Sequence, residues 1–180
     1  MMKMNLPNKL TVLRMLLVPV FMVVLLCWNK YVALAIFIVA SLTDVLDGNI
    51  ARKRNLVSTF GKFADPLADK LLVISAMLIF VEWGQMPGWV AMIVVARELA
   101  ITSLRIIAAA NGIIMAAGWS GKLKTGCTMV GLCIMMTPIT DIAIGPITIN
   151  TIIVAIILIT TVVSGVEYFF KNGKIFISEM

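Results

Sequence analysis

Residues 147–170 read ITINTIIVAIILITTVVSGVEYFF, and the first 20 of these 24 residues carry no charged side chain. A helix needs about 20 consecutive apolar residues to cross a bilayer core of roughly 30 Å, so this stretch is long enough for one crossing. Of the whole 180-residue chain, 61% is apolar and only 13% is charged. An ordinary soluble domain is roughly 25% charged, so the same architecture is expected throughout.

Five further apolar stretches precede this one. The six stretches run over residues 11–28, 31–50, 63–82, 88–108, 123–142 and 147–170. We therefore expect an all-α, polytopic membrane protein with six transmembrane helices, folded as a single domain over residues 1–180. Pro7 and Asn8, before Lys9, predict a short interfacial segment at the N-terminus.

Basic residues are concentrated at alternate connections between these stretches. They lie in the N-terminal segment, between the second and third stretches, between the fourth and fifth, and in the C-terminal tail. Because basic loops remain on the cytoplasmic side of a membrane, both termini and both basic loops are expected there. The net charge of +6 reflects this anchoring and does not indicate nucleic-acid binding.

Acidic residues must carry any acid–base chemistry, because the chain contains no histidine as ligand or general base. Four of the nine acidic residues lie within a 26-residue window, at Asp44, Asp47, Asp65 and Asp69. The first two are i,i+3 and the last two i,i+4, so each pair shares a helical face. The basic turn between the pairs can fold the two helices together, so that all four carboxylates converge.

Four converging carboxylates would repel one another unless divalent cations lie between them. Oxygen ligands select Mg²⁺, Mn²⁺ or Ca²⁺, and a pair of ions can clamp a pyrophosphate during displacement. Gly48 and Gly61 remove side chains where a ligand could press against the backbone, and Arg52 offers phosphate a planar fork of donors. These features predict phosphoryl-type transfer on a nucleotide diphosphate. The alternative is that the aspartates cap helix ends and pair with nearby basic residues as interfacial charge.

The run from Asp44 to Asp69 has the form D-x2-D-G-x2-A-R-x8-G-x3-D-x3-D. It resembles the signature of the CDP-alcohol phosphatidyltransferase family, and all eight specified positions match. The resemblance implies that an alcohol hydroxyl replaces CMP on a CDP-linked lipid, assisted by two divalent cations, Mg²⁺ or Mn²⁺. It also implies a homodimer in the inner (cytoplasmic) membrane of a bacterium, with the active site facing the cytoplasm.

The same resemblance implies roles for the individual residues of the motif. Asp44, Asp47 and Asp65 would be metal ligands, and Asp69 would be the general base and a further metal contact. A carboxylate suits this role because a hydroxyl beside a dication needs only a nearby carboxylate to accept its proton. The residues implied to line the cytidine nucleotide are Gly48, Ala51, Arg52 and Gly61.

The basic residues of the second half indicate the acceptor alcohol. Together with residues 7–11 and Arg14, they resemble the branch of the family that joins sn-glycerol 3-phosphate to the phosphatidyl group of CDP-diacylglycerol, giving phosphatidylglycerol phosphate and CMP. The implied ligands of the acceptor phosphate are Arg105, Lys122, Lys124 and Arg97, with further contacts from Thr11 and Arg14. The two lysines could instead be membrane anchors, and Thr11 and Arg14 could be a helix cap and an interfacial anchor.

Arg97 lies near the middle of the fourth apolar stretch. A lone cation at that depth needs the bundle interior and a partner. Because adjacent residues point about 100° apart on a helix, we expect the partner of Arg97 to be a residue other than Glu98. Arg97 then either binds phosphate or ties helices together.

Three other functions remain open at this point. An acceptor such as inositol phosphate, serine or phosphatidylglycerol would preserve the aspartate motif and change the basic residues. A cation transporter would place acidic residues in the middle of several spans, whereas here they lie at helix ends. An inactive scaffold would need none of the four aspartates.

Overall fold

The structure, a computed structural model, describes the backbone of residues 6–53, 59–110 and 118–177, and the side chains of residues 11–43, 67–68, 70–109 and 118–171. Within these ranges the chain forms six α-helices. They are α1 (Leu6–Cys27), α2 (Lys30–Lys53), α3 (Thr59–Glu82), α4 (Gly88–Ala110), α5 (Trp119–Met135) and α6 (Ile149–Ile177). The prediction of an all-α protein is confirmed.

The longest described segment without α-helix joins α5 to α6. It forms a 3-10 helix at Pro138–Asp141 and an antiparallel hairpin of β1 (Ala143–Ile144) and β2 (Ile147–Thr148). Helix α5 therefore ends earlier than the apolar stretch 123–142 predicts. The physical reason is Pro138, which lacks an N–H and disfavours helical backbone at Thr137, where φ is −108° and ψ is 158°.

The N-terminal residues also differ from the expectation of a separate interfacial segment. Helix α1 begins at Leu6, so Pro7, Asn8 and Lys9 form its first turn. Proline is tolerated there because the first N–H groups of a helix have no intrahelical acceptor. The lead-in and the first apolar stretch are thus one continuous helix.

Among the described residues, one helix is long and apolar enough by itself to cross a membrane, over Ile149–Lys171 in α6. Two shorter apolar helical segments cover Thr11–Cys27 and Lys30–Thr43. Large apolar side chains also face outward on α6, among them Ile159, Val163 and Phe170, which are 60%, 57% and 86% exposed. An outward apolar surface of this kind suits contact with lipid, and the count of six spans stays a prediction.

Residues Met1–Glu82 form one compact unit, the N-terminal unit. In it α1 packs against both α2 and α3. The buried side chains of α1 recur every three or four residues along one face, at Thr11, Arg14, Val18, Phe21 and Leu25. The Phe21 ring lies 5.7 Å from that of Phe37 in α2, measured between centroids.

Residues Trp83–Met180 form the second compact unit, the C-terminal unit. Here α6 packs against α4 and α5. A Cβ built on Gly131 of α5 would lie 2.9 Å from Ile153 Cγ2 and 3.0 Å from Ile157 Cδ1 of α6. The close approach of α5 and α6 therefore depends on the missing side chain at this position.

We predict that Gly131→Ala destabilises the protein, because the added methyl group overlaps Ile153. Overpacking of this kind costs about 1–3 kcal/mol, partly offset by the helix-forming advantage of Ala over Gly, about 1 kcal/mol. Thermal unfolding in detergent micelles, followed by circular dichroism, measures the change. Gly126→Ala on the same helix is the control, because a Cβ there meets nothing within 4 Å; an equal midpoint for the two variants would contradict the prediction.

Candidate functional site

The four aspartates predicted to bind metal occupy the two helices expected of them. Asp44 and Asp47 lie in α2, and Asp65 and Asp69 lie in α3. Their side chains lie outside the described set, as do those predicted to contact the nucleotide: Gly48, Ala51 and Arg52 in α2 and Gly61 in α3. The structure gives the positions of these residues along α2 and α3.

The four aspartate positions lie seven residues away from buried residues of the same helices. Seven residues make nearly two turns of an α-helix, with a drift of about 20°. Positions 44 and 47 follow the buried Phe37 and Ala40 by seven residues, and positions 65 and 69 precede the buried Leu72 and Ala76 by seven. This spacing agrees with the expectation that each pair of aspartates shares one face of its helix, and their burial stays a prediction.

Helix direction places these positions at one end of the N-terminal unit. Two residues join α1 to α2 and five join α2 to α3, and short connections make successive helices antiparallel. The end of α2 therefore lies beside the starts of α1 and α3. Asn29 directly precedes α2 and caps it, since its Oδ1 accepts from the backbone N–H of Tyr31 at 2.8 Å.

Thr11 and Arg14 lie at that same end, on the inner face of α1. Each is only 3% exposed. Thr11 does not cap α1, which begins five residues earlier at Leu6, and the buried Arg14 is not an anchor in an aqueous interface. The structure therefore does not show Thr11 as a helix cap or Arg14 as an exposed anchor, and a functional contact for both stays a prediction.

The donor set at this end of the N-terminal unit suits hard divalent cations. Four carboxylates on adjacent helices offer only oxygen ligands, which Mg²⁺ and Mn²⁺ prefer. The side chains that the structure does describe contain no group of three or more His, Cys, Asp or Glu residues able to hold a metal ion. The motif aspartates, which lie outside that set, remain the residues that fit a metal.

A second cluster of charge lies in the C-terminal unit. Glu98 Oε1 accepts from Arg97 Nη1 at 2.7 Å and from Lys124 Nζ at 2.9 Å. The Lys124 side chain is 4% exposed and that of Arg97 is 12% exposed. One carboxylate oxygen therefore joins two largely buried cations and links α4 to α5.

This cluster corrects the expectation that Arg97 would pair with a residue other than Glu98. Adjacent Cα–Cβ bonds do diverge on a helix, but the long arginine side chain bends back far enough to reach its neighbour. Because of that divergence, the sequence analysis did not identify Glu98 as the partner of Arg97. The available signal was an acidic residue inside an apolar stretch, directly beside a cation.

Glycines make room for the Arg97 side chain among three helices. A Cβ on Gly165 of α6 would lie 3.3 Å from Arg97 Cγ, and one on Gly121 of α5 would lie 3.7 Å from Arg97 Nη2. Arg97 also borders a largely apolar groove of about 470 Å³ between α4 and α6, whose wall includes Ile93 and Phe169. The guanidinium is thus held within the packed helices of the C-terminal unit.

The four predicted acceptor ligands divide into two groups. Arg97 and Lys124 are brought together by Glu98. Arg105, near the end of α4, and Lys122, in the first turn of α5, are exposed. The structure places all four at the ends or interior of α4 and α5, and Arg97 and Lys124 share an ion-paired cluster.

The described residues form an all-α protein with one helix long and apolar enough to cross a membrane, and α2 and α3 carry the four aspartates of the motif. The chain belongs to the CDP-alcohol phosphatidyltransferase family, whose model matches residues 4–165. It is therefore an enzyme of phospholipid biosynthesis, and the family membership predicted from the aspartate motif is confirmed.

Similar proteins cover most of the chain. It is 39% identical to the CDP-diacylglycerol–glycerol-3-phosphate 3-phosphatidyltransferase of Bacillus subtilis (strain 168), over 94% of this chain and 96% of that protein. It is 38% identical to a probable phosphatidylglycerophosphate synthase of Mycobacterium tuberculosis, over 91% and 79% of the two chains. A protein of Escherichia coli (strain K12) with the same name as the Bacillus enzyme is 40% identical over 73% and 76%.

We predict that Lys124→Met lowers the stability of the protein, because Glu98 loses the ammonium group of Lys124 as a partner while remaining largely buried. Leaving a buried polar group short of a partner costs about 1–3 kcal/mol. Thermal unfolding in detergent micelles would measure the loss. Lys122→Met, the same change two residues earlier at an exposed position, is the control, and equal midpoints for the two variants would contradict a structural role for the buried pair.

Proposed function

We propose that this protein transfers the phosphatidyl group of CDP-diacylglycerol to sn-glycerol 3-phosphate, giving phosphatidylglycerol phosphate and CMP. The observation that carries the proposal is the 39% identity over 94% of the chain to a relative named for that reaction. The complete aspartate motif, carried by α2 and α3, supports it.

Asp69 is proposed as the general base of this reaction. It accepts the proton of the attacking hydroxyl of glycerol 3-phosphate. The hydroxyl oxygen bonds to the phosphorus that carries diacylglycerol, while the bond from that phosphorus to the bridging oxygen of the diphosphate breaks. CMP leaves with the electron pair of that bond.

The motif residues on α2 and α3 are proposed to hold the donor substrate. Asp44, Asp47, Asp65 and Asp69 would bind two divalent cations, Mg²⁺ or Mn²⁺. When bound, such ions neutralise diphosphate charge and stabilise the departing oxygen. The positions proposed to line the cytidine nucleotide are Gly48, Ala51, Arg52 and Gly61, where Arg52 supplies a donor fork and the glycines admit close approach.

The basic residues of α4 and α5 are proposed to bind the phosphate of the acceptor. Arg97 and Lys124 form the buried part of this set, and Arg105 and Lys122 the exposed part. A dianionic acceptor needs such fixed cations, since charge-assisted hydrogen bonds to phosphate are the strong ones. Thr11 and Arg14, buried on the inner face of α1, are proposed as further polar contacts.

The setting of the reaction follows from charge and apolar surface. We place the six helices across the inner (cytoplasmic) membrane of a bacterium as one domain, with the basic connections and the active site on the cytoplasmic side. Helix α6 supports membrane insertion directly, by its length and composition. A homodimer is part of the proposal through the family resemblance.

We predict that Asp69→Asn lowers kcat by at least about 10²-fold, the usual contribution of a general base. The measurement is CMP release by purified protein in CDP-diacylglycerol micelles with Mg²⁺ or Mn²⁺. Glycerol 3-phosphate, inositol 1-phosphate, serine and phosphatidylglycerol are offered separately as acceptors. Asp141→Asn, the same change at an exposed position between α5 and α6, leaves kcat unchanged.

The same assay separates the proposal from its rivals. Turnover with glycerol 3-phosphate alone supports it, and turnover with another acceptor contradicts the acceptor assignment while retaining the chemistry. The absence of CMP release with all four acceptors would contradict the proposal and favour a transporter. A measurement of ion flux in vesicles would test that alternative.

We further predict that Arg105→Gln and Lys122→Gln each raise the KM for glycerol 3-phosphate about tenfold, because each removes a hydrogen bond between charged groups. The KM for CDP-diacylglycerol stays unchanged. Lys171→Gln, at a side chain 68% exposed near the end of α6, is the matched control. An unchanged KM for glycerol 3-phosphate in both variants would show that these two residues do not bind the acceptor.

A further inference from the structure

Glu98 takes no part in the mechanism described above, yet it holds the buried cations of the C-terminal unit together. Its Oε1 lies 2.7 Å from Arg97 Nη1 and 2.9 Å from Lys124 Nζ. Because both nitrogens approach the same oxygen, the position of that oxygen determines how far apart the two cations lie. The Glu98 side chain is itself only 22% exposed.

The burial of these cations requires such a carboxylate. Arg97 and Lys124 have side chains 12% and 4% exposed, so each has given up most of its hydration. Two buried like charges side by side repel each other and are costly without a counter-charge. Glu98 provides the counter-charge and leaves the group of three with a net charge of +1.

Arg97 has donor capacity that Glu98 does not use. Within the described part of the chain, its Nε is buried and donates to no acceptor. Beside Nη2 lies Gly121, where an added Cβ would be 3.7 Å from that nitrogen. A buried donor without an acceptor is unfavourable, and a phosphate oxygen is an acceptor that would satisfy it.

We propose that Glu98 is a positioning residue for the acceptor substrate, holding Arg97 and Lys124 side by side as a binding site for a phosphate monoester. This inference rests on the proposed function, in which that monoester is glycerol 3-phosphate. Glu98 acts through the two cations and does not touch the phosphate itself.

Two opposing effects follow from removing the charge of Glu98. The net local charge becomes more positive, which would attract a dianion more strongly. The two cations, however, lose the carboxylate oxygen that both of them contact, so the separation of Arg97 Nη1 and Lys124 Nζ is no longer held at that oxygen. Loss of position outweighs the added attraction, because binding a phosphate needs both donors in place at once.

The experiment measures steady-state kinetics of Glu98→Gln in the full-length protein in micelles. We expect the KM for glycerol 3-phosphate to rise about tenfold. The KM for CDP-diacylglycerol and kcat at saturating acceptor stay within about twofold, since binding and not chemistry is affected. Glu167→Gln, the same change in a glutamate that pairs with Lys171 on α6, is the control and retains both KM values.

A double-mutant cycle tests whether Glu98 acts through Lys124. If it does, Glu98→Gln combined with Lys124→Gln raises the KM for glycerol 3-phosphate no further than Lys124→Gln alone. Multiplied effects of the two single changes would overturn the positioning role. Glu98→Asp, which keeps the charge on a shorter side chain, is expected to give a KM between those of the wild type and Glu98→Gln, and it serves as the test if Glu98→Gln does not fold.

The remaining outcomes each decide a separate point. An unchanged or lowered KM for glycerol 3-phosphate in both Glu98 variants overturns the inference, and so does a fall in kcat with both KM values unchanged. A rise in the KM for CDP-diacylglycerol alone would show that the phosphate bound by Arg97 and Lys124 does not belong to the acceptor, and it would overturn the inference. Turnover of the wild type with glycerol 3-phosphate tests the proposed function independently, and a wild type that used only acceptors without phosphate would overturn both.

Discussion

The cost of burying charge in an apolar chain governs the arrangement of this protein. A charged side chain is stable away from water only when a counter-charge, a metal ion or a polar ligand compensates it. Only 13% of the residues are charged. Arg14 lies on the buried stripe of α1 near its start, and Glu98 pairs with Arg97 and Lys124 where α4 and α5 approach each other.

The aspartates of α2 and α3 and the basic residues of α4 and α5 carry opposite charge, and that difference suits the proposed reaction between two phosphate-bearing substrates. The aspartates of α2 and α3 belong to the N-terminal unit and favour cations, through which a diphosphate can be held. The basic residues of α4 and α5 belong to the C-terminal unit and favour an anion directly. Each unit thus offers the chemistry that one of the two proposed substrates needs, without any histidine.

Several features could be predicted from the sequence because they depend on local chemistry. The apolar stretch 88–108 predicts α4, observed over Gly88–Ala110. The end of α5 was predicted too late, although Pro138 was visible, because apolar residues continue beyond it. The eight-position motif from Asp44 to Asp69 predicted the family, which is confirmed. Such a motif can be read from the sequence because the spacing of residues along a helix is a property of the chain itself.

What the sequence by itself determined is the helical architecture and the family, because both follow from short-range spacing. The tertiary structure alone decided which basic residues are joined. Arg97 reaches Glu98, and Glu98 reaches Lys124 from another helix, because α6 packs against both α4 and α5 and Gly165 and Gly121 leave room for the guanidinium. The partners of long, flexible side chains depend on that packing, which spacing along the chain does not encode.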